Sequence, residues 1–450
     1  MRLDARRAGV LLHPTSLPSG TLADAERWLD FLQAGGFSVW QMLPLGIPLA
    51  GRSPYQCASA FAVHPGLFPA GPVDTTGFSA WRARQAHWLP DFARFMILRA
   101  LHGNVPWTEW PVPLRDREPR ALAAFDAAHA DALQAVHLEQ YRAAELWQRV
   151  RAQAAARGIL LFGDMPIFVA HDSADVWARR DLFLLDAAGH PTVVAGVPPD
   201  YFSETGQRWG NPHYDWAAMQ ADGFAWWRQR LAAHFEWFDL VRIDHFRGLA
   251  AAWTIPASEP TAIHGTWVEA PGDALLQAIA DDMGALPLVA EDLGIITPDV
   301  TALRHRFGLP GMAVLQFAFD AHADNPHKPE NVHPDTVYFT GTHDNDTTRG
   351  WWDTLPDDVR AQVMAQLGVD APDAVPEAMI DTVLGSAASL AILPMQDALG
   401  LGSAARMNTP GTPDGNWTWR FAWRDVPDDL ACRMLEKLRN TYRCENPPRP

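Results

Sequence analysis

Short runs of apolar residues recur along the chain and alternate with longer segments of helical periodicity. The runs are three to five residues long. Turn residues or charged residues flank them, as is typical of buried strands. Eight runs are predicted as strands on this pattern: Gly9–His13, Val39–Leu43, Ile159–Phe162, Leu240–Ile243, Leu288–Ala290, Ala313–Phe317, Val337–Thr340 and Leu390–Leu393.

Amphipathic helices are predicted between these strands. The first, Leu22–Ala34, repeats apolar residues on one face, starts after Thr21 with an acidic residue three positions on, and ends at Gly35–Gly36. Similar patterns predict four more helices near Ala130–Arg157, Phe224–Phe238, Gly272–Met283 and Asp299–Phe307. Eight strands that alternate with helices over this length predict an α/β fold, the (β/α)8 TIM barrel.

Two stretches interrupt the alternation and predict insertions into βα connections. Residues at about 46–130 follow the second strand, and residues at about 171–222, rich in Pro, Gly and aromatic side chains, follow the third. Long βα connections lie at the face of a barrel where the strands end, which is where active sites form. We therefore expect one catalytic domain over residues 1–450, with an inserted subdomain and a lid-like loop at this face.

Composition restricts the class of protein. With 48% hydrophobic and 20% charged residues among 450, the chain is expected to be an ordered globular protein. A formal charge of −17 argues against nucleic acid as a partner. The sequence predicts neither a membrane span nor a secretion signal, and the scattered Cys57, Cys432 and Cys444 favour the cytoplasm.

Tryptophan is unusually frequent, with 20 residues against 6 tyrosines. Most of these rings are expected to fill the core of a large fold. Some lie in segments dense with turn residues, where a flat apolar ring beside polar groups suits the C–H face of a sugar: Trp107, Trp110, Trp177, Trp209 and Trp216.

Three acidic residues each follow a predicted strand: Asp244, Glu291 and Asp344. A single carboxylate at such a position is often a helix cap or an ion-pair partner. Strand ends converge in a barrel, so three of them, accompanied by Arg242, His245 and His343, favour one common site.

Grouped carboxylates suit the cleavage of glycosidic bonds. One protonated carboxyl donates to the bridging oxygen while an ionised one meets the oxocarbenium-like carbon. Arg242 lies two residues before Asp244, on the same side of the strand, and is expected to keep that aspartate ionised. The acid needs a raised pKa, which neighbouring anions are expected to supply.

At nine segments, three of which contain Asp244, Glu291 and Asp344, the chain resembles the amylomaltase family, the 4-alpha-glucanotransferases of the α-amylase clan. The resemblance extends from about residue 8 to residue 421. The matching segments are LLHPTSLPSG, SPYQ at 53–56, GDMPIF at 163–168, GVPPDYFSETGQRWGNP at 196–212, VRIDHFRG at 241–248, AEDLG at 290–294, LPGMAVLQFAFD at 309–320, GTHDNDTT at 341–348 and RMNTPGT at 406–412.

The resemblance implies a function and a site. An α-1,4-glucan segment would move with retention from a maltooligosaccharide, starch or glycogen-type donor to the 4-hydroxyl of an acceptor such as glucose or maltose. Asp244 would be the nucleophile, Glu291 the general acid/base and Asp344 the carboxylate that stabilises the transition state. The residues implied in substrate binding are Ser53, Tyr55, Asp164, Gln207, Trp209, Arg242, His245, Asp292, Phe317, His343 and Asn408. No metal or cofactor is implied, and we expect a monomer or a weak homo-oligomer.

The sequence departs from the family pattern near the second strand. Arg52 stands where an acidic residue usually precedes SPYQ, and the segment between His64 and Trp88 is shorter than usual. We expect these changes to affect the inserted subdomain and remote glucan subsites, since the catalytic trio is intact.

Three alternative functions share some of these features. A barrel metallohydrolase could use His171–Asp172, Asp244–His245 and His343–Asp344, but no His-x-His pair occurs. A carbohydrate-binding protein without turnover would not need the three carboxylates. An α-1,4-glucan hydrolase or branching enzyme of the same clan shares the chemistry, and residues 196–212 favour the transferase.

Overall fold

The computed structural model describes residues 5–199 and 203–444. Its strands are β1 Arg7–Leu11, β2 Val39–Gln41, β3 Leu160–Pro166, β4 Val193–Val197, β5 Gln207–Pro212, β6 Leu240–Asp244, β7 Ala251–Pro256, β8 Thr266–Glu269, β9 Leu288–Ala290, β10 Gly311–Val314, β11 Thr336–Phe339 and β12 Leu390–Pro394. Its α-helices are α1 Ala25–Ala34, α2 Phe78–Arg84, α3 Leu89–Leu101, α4 Val112–Arg115, α5 Pro119–Ala128, α6 Ala130–Ala156, α7 Ala174–Ala178, α8 Trp216–Ala221, α9 Ala225–Trp237, α10 Gly272–Met283, α11 Pro298–Arg306, α12 Thr348–Thr354, α13 Asp357–Leu367, α14 Val375–Gly385, α15 Met395–Ala398 and α16 Leu430–Asn440.

Eight parallel strands form the barrel, in the order β10-β11-β12-β1-β2-β3-β6-β9. The two end strands meet where the N–H of Ala290 donates to the carbonyl of Pro310 over 2.8 Å. Each of the eight predicted strands corresponds to one of these, which confirms the TIM-barrel fold class. The third strand is longer than predicted and runs to Pro166, so Asp164 lies within it.

Two apolar layers hold the barrel. One fills its interior with branched and aromatic side chains, and the other lies between the strands and the surrounding helices. Close packing of this outer layer requires Gly163 in β3, because a Cβ there would come within 2.2 Å of the Phe238 ring. The neighbouring Asp164 therefore occupies a tightly determined position.

The five predicted helices are present as α1, α6, α9, α10 and α11, and the last four have ends within one residue of the prediction. The first begins later than predicted, at Ala25, because Leu22–Asp24 forms a 3₁₀ turn in which the Thr21 hydroxyl accepts from the Ala23 N–H. Between β2 and β3 the chain forms α2 to α5 and then α6.

A second, antiparallel sheet was not predicted. Its order is β5-β4-β7-β8, so it joins strands that follow β3 to strands that follow β6. The segment Gly196–Pro212, expected to be a lid-like loop, is in part a hairpin of β4 and β5. The sequence of β5 shows no apolar alternation. This strand pairs with β4, and the other edge of β4 pairs with β7, so pairing rather than a buried face stabilises it.

The segment between His64 and Trp88 is short and lies against α6. It contains one 3₁₀ turn, Pro65–Leu67, before α2 begins. The Tyr141 hydroxyl donates to the carbonyl of Asp74 over 2.9 Å, and the Arg142 guanidinium donates to that of Pro69. Side chains of α6 thus hold the shortened connection.

Most of the tryptophans proposed for sugar binding are core residues. Trp107, Trp110 and Trp177 are buried, so that interpretation is wrong for them. Trp216 packs on Tyr214 and Trp227, and of the five only Trp209 contacts the candidate site. Within the described ranges, no helix has the length and apolar character that a bilayer span requires.

Candidate active site

Arg242 is the buried cation of the site, and it holds two aspartates. Asp164 on β3 and Arg242 on β6 are register partners in adjacent parallel strands. One guanidinium nitrogen, Nη1, donates to both oxygens of Asp164 at 2.8 and 2.7 Å, and Nη2 donates to Asp244 Oδ1 at 2.7 Å. Because strand residues two apart share a side, Arg242 reaches Asp244 without any bend in the backbone.

Asp244 ends β6 with its carboxylate fixed but accessible. The side chain is 30% exposed, whereas that of Arg242 is 6% exposed. A charge-assisted hydrogen bond from a buried guanidinium limits the rotation of this carboxylate. An oriented anion that still faces the barrel mouth is suited to attack an electrophilic carbon.

Glu291 follows β9 and receives two backbone donors. The N–H of His245 donates to Oε2 at 2.6 Å, and the N–H of Leu293 donates to Oε1 at 3.1 Å. Burial raises the pKa of Glu291 to about 7; Asp244 adds to this rise, and Arg242 and the two N–H groups oppose it. The raised pKa was expected from neighbouring anions, but burial is the first cause.

His245 directly follows Asp244 and adopts a left-handed backbone conformation, with φ at 51°. Burial lowers its pKa to about 4, so the imidazole is neutral near pH 7. Its Nε2 is buried without a hydrogen-bond partner, while the Trp209 ring meets it edge-on at 4.9 Å. A neutral, partly unsatisfied imidazole at this position can bind a sugar hydroxyl.

Asp344 lies beyond β11 in a separate group of polar side chains. Asn408 Nδ2 donates to Asp344 Oδ1 at 2.6 Å, and His343 Nε2 lies 3.3 Å from the same oxygen. Arg406 donates to the carbonyl oxygens of Asp344 and Asn408, each at 2.7 Å. The Asp344 side chain remains 46% exposed, so its second oxygen can accept from a ligand.

Tyr55 connects the two groups. Its hydroxyl donates to Asp164 Oδ2 at 2.6 Å and lies 2.9 Å from His343 Nε2, and its ring stacks on the His343 ring at 5.3 Å. The Ser53 hydroxyl accepts from the Tyr55 N–H at 3.3 Å and thereby shapes the loop. Direct substrate contact by Ser53 stays a prediction.

The remaining candidates differ in what they contact. Gln207 and Trp209 lie on β5, where the side-chain oxygen Oε1 of Gln207 accepts from Trp209 Nε1 at 3.1 Å. Phe317 follows β10 and is 38% exposed. Asp292 instead accepts from the Met312 N–H at 2.7 Å and lies 3.2 Å from Arg304 Nε, so protein groups occupy both oxygens and its role in substrate binding stays a prediction. Tyr201 and Phe202, in the matched segment 196–212, lie outside the described residues.

Three supporting residues were not singled out from the sequence. Arg406 aligns Asp344 with Asn408, and its place in the RMNTPGT segment was the available signal. Trp417, in a left-handed conformation, lies 6.0 Å from the rings of Tyr55 and His343. Buried Asp397 accepts from Thr340 and Thr348 on either side of the Asp344 loop. Nothing local in the sequence marks the last two.

The geometry defines a class of protein. A fixed anion, a carboxyl group with a pKa near neutrality and a third carboxylate face the C-terminal end of a barrel, as acetal chemistry requires. Among the described residues, no group of three or more His, Cys, Asp or Glu could hold a metal ion. Activity without metal or cofactor stays a prediction. The fold and site are those of a carboxylate-dependent, carbohydrate-active barrel enzyme.

Comparison with known families specifies the member of this class. The family model of glycoside hydrolase family 77, described as 4-alpha-glucanotransferase, matches residues 11–71 and 69–425. The chain belongs to this family and is a 4-alpha-glucanotransferase rather than the hydrolase or branching enzyme left open above. The two matched ranges overlap at residues 69–71, within the short segment between His64 and Trp88.

Similar proteins match almost the full length of the chain. A 4-alpha-glucanotransferase of Thermus thermophilus is 46% identical over an alignment of 495 positions that covers 97% of this chain and 99% of that protein. The structure of amylomaltase from Streptococcus agalactiae in complex with acarbose is 32% identical, with a TM-score of 0.93 and coverage of 98% and 100%. An α-amylase of Geobacillus thermoleovorans, 12% identical with a TM-score of 0.53 and coverage of 98% and 79%, shares the fold alone.

Proposed function

We propose that this enzyme transfers α-1,4-glucan segments by a retaining double displacement, with Asp244 as nucleophile, Glu291 as general acid/base and Asp344 as the stabilising carboxylate. The observation that carries the proposal is the difference between the surroundings of Asp244 and those of Glu291. Asp244 is hydrogen-bonded to buried Arg242, whereas burial raises the pKa of Glu291 to about 7. A carboxylate oriented by a guanidinium suits the nucleophile, and a carboxyl group that keeps its proton near neutral pH suits the general acid.

In the first step, Asp244 attacks the anomeric carbon while protonated Glu291 donates to the glycosidic oxygen. The bond from carbon to that oxygen breaks, and the leaving segment departs with a 4-hydroxyl. The product is a glycosyl ester on Asp244 and an ionised Glu291. Arg242 and the backbone donors on Glu291 hold both groups before the substrate arrives, which lowers the entropic part of the barrier.

In the second step, Glu291 takes the proton of an acceptor 4-hydroxyl as its oxygen bonds to the anomeric carbon and the Asp244 ester breaks. Two inversions retain the α configuration. Asp344, held by Asn408 and His343, accepts from hydroxyls of the reacting sugar, and these hydrogen bonds strengthen as positive charge develops on the ring. His245, Tyr55 and Asp164 bind the same sugar.

Transfer requires that a sugar, rather than water, reaches the glycosyl ester. Trp209 on β5 covers His245 beside the nucleophile and is hydrogen-bonded to Gln207, so these two residues can position an acceptor and exclude water. We propose maltooligosaccharides, starch or glycogen-type glucans as donors and glucose, maltose or glucans as acceptors. We further propose a cytoplasmic enzyme, in keeping with Cys57, Cys432 and Cys444, none of which forms a disulfide.

The test is incubation with maltotriose, followed by separation of the products. Transfer yields free glucose and a ladder of longer maltooligosaccharides, with no net gain of reducing ends. Hydrolysis yields glucose and maltose, and reducing ends rise with every cleavage. An Asp244→Asn variant is the matched control and should form neither set of products. A wild-type enzyme that gives only glucose and maltose would overturn the transfer proposal.

A further inference from the structure

One tryptophan, Trp267, is unlike the other nineteen in the sequence. All twenty lie in the described ranges, and among them only Trp267 is exposed, at 40%, while the others are buried or half-buried. Three further exposed apolar residues are neighbours of Trp267: Ile263 four positions before it, Val268 next to it on the opposite side of the strand, and Ile295, whose carbonyl accepts from Arg247. We call these four residues the outer patch. The site and the core described above do not account for it.

The Trp267 ring is held in place. The Arg247 guanidinium lies over it, 4.0 Å from the ring centroid, and Trp253 on β7 meets it edge-on at 5.4 Å. Arg247 is itself held, because its Nη1 donates to the carbonyl of Ile295 at 2.8 Å and lies 3.1 Å from the Thr297 hydroxyl. An exposed aromatic ring that is already ordered loses little conformational entropy when a ligand binds it.

The outer patch adjoins the catalytic loops. Arg247 is three residues after Asp244, a distance of at most about 11 Å along an extended chain. Ile295 is four residues after Glu291, and Arg247 connects these two loops. Through Arg247, Trp267 therefore lies beside the loop that follows Glu291, the proposed proton donor to the leaving segment.

The small sheet links the outer patch to the proposed acceptor cover. Arg208 on β5 pairs with Gly196, Gly196 pairs with Trp253, and Trp253 pairs with Trp267. This row crosses all four strands, and adjacent strands are spaced at about 4.8 Å. Trp209, next to Arg208, thus belongs to the same rigid unit as Trp267.

We propose that Trp267, ordered by Arg247, is an outer glucan subsite on the acceptor side, where the ring stacks on a sugar unit several positions from the bond that breaks. The inference rests on the proposed transferase function. Tryptophan offers a large apolar face, which suits the C–H face of a neutral sugar. A second copy of the chain is a poorer occupant, because a stable interface needs about 800 Å² per partner and four side chains supply less.

The experiment compares acceptor length in Trp267→Ala and wild type, with a single short donor. For an acceptor as long as maltoheptaose, the variant should lose about tenfold in kcat/KM, mainly through KM. For glucose as acceptor it should match wild type, because glucose does not reach the outer patch. Trp267→Phe, which keeps a ring, should recover most of the loss.

Trp423→Ala is the matched control. Its ring also carries a stacked arginine, Arg27 at 4.3 Å, but it packs on Phe31 of α1 and on Phe421 rather than on residues of the second sheet. This variant should match wild type in kcat/KM for both long and short acceptors. If Trp267→Ala lowers kcat/KM equally for glucose and for maltoheptaose, the proposed outer subsite is wrong. The ring would then have a positioning role instead.

Two other outcomes are distinguishable. If wild type transfers to both acceptors and Trp267→Ala is unchanged on each, the subsite is wrong and the proposed function stands. If wild type transfers to neither, the proposed function itself fails. Sedimentation velocity on both proteins tests the alternative occupant, because a wild-type dimer that Trp267→Ala dissociates would assign the outer patch to self-association and overturn the proposal.

Discussion

The main-chain N–H of His245 donates to Glu291 Oε2 over 2.6 Å. The residue that follows the proposed nucleophile therefore holds the proposed acid/base. Their relative position depends on backbone geometry at the ends of β6 and β9 rather than on two freely rotating side chains. In making this contact, His245 adopts a left-handed conformation, with φ at 51°, which is energetically unfavourable for a residue with a Cβ.

Glu291 predicts a pH dependence. Burial raises its pKa to about 7, so the protonated acid form is the majority below that pH and is lost as pH rises through it. With maltotriose as donor, kcat/KM should fall about tenfold per pH unit above the pKa, since the sugar leaving group needs the proton. Initial rates between pH 5 and pH 9 measure this limb.

A donor whose leaving group needs no proton supplies the control for this limb. With a maltosyl fluoride, the alkaline fall should shrink or disappear in the glycosylation step. If both donors give the same alkaline limb, the titrating group is not the general acid. That result would contradict the assignment of Glu291.

Asp244 should carry a covalent glycosyl group during turnover. Replacing Glu291 with Gln removes the acid/base and slows both steps, but an activated donor can still form the ester, which then accumulates. Intact mass should increase by the donor glycosyl unit, and peptide mapping should locate it at Asp244. Glu291→Gln combined with Asp244→Asn should remain unlabelled. A labelled peptide without Asp244 contradicts the nucleophile assignment.

Asn408 should affect catalysis more than binding. Its amide donates to Asp344 Oδ1 at 2.6 Å, so Asn408→Ala leaves that carboxylate without an orienting donor. We expect kcat to fall by about 10- to 100-fold with little change in KM, as for other preorganised polar contacts. Asp414→Asn, at an exposed position of the same loop, is the control and should retain wild-type rates. A rise in KM alone would assign Asn408 to substrate binding only.

Trp209 should determine how often water replaces the acceptor. Trp209→Ala opens the cover over His245, so the ratio of reducing ends released to glucosyl units transferred from maltotriose should rise by about tenfold. Trp216→Ala is the control for lost packing, because its ring rests on Tyr214 and Trp227, and both activities should fall together. An unchanged ratio in folded Trp209→Ala would refute the water-exclusion role.

Removal of metal should leave activity intact. The proposed steps use carboxylates, an arginine and histidines only. Exhaustive dialysis against a chelator should not change the initial rate of maltotriose disproportionation. A loss of rate that one divalent ion restores would favour the metallohydrolase alternative instead.

Relationships between neighbouring residues were predictable from the sequence. The strands were found because each is a short apolar run, and burial of such runs is a local signal. Arg242 reaches Asp244 because alternate residues of a strand share a side. The positions of Asp244, Glu291 and Asp344 at strand ends follow from the same runs, so a common site could be predicted without knowing any distance within it.

Relationships across the barrel depended on tertiary structure. The contact of His245 with Glu291 spans 46 residues of sequence, and that of Asn408 with Asp344 spans 64. Strand β5 has no apolar alternation, and its pairing through β4 with β7 stabilises it as a strand. Trp107 and Trp267 belong to one residue type, yet one is buried and the other exposed. Sequence periodicity encodes which side of an element is buried, whereas closure of the barrel and the second sheet decide which distant side chains meet.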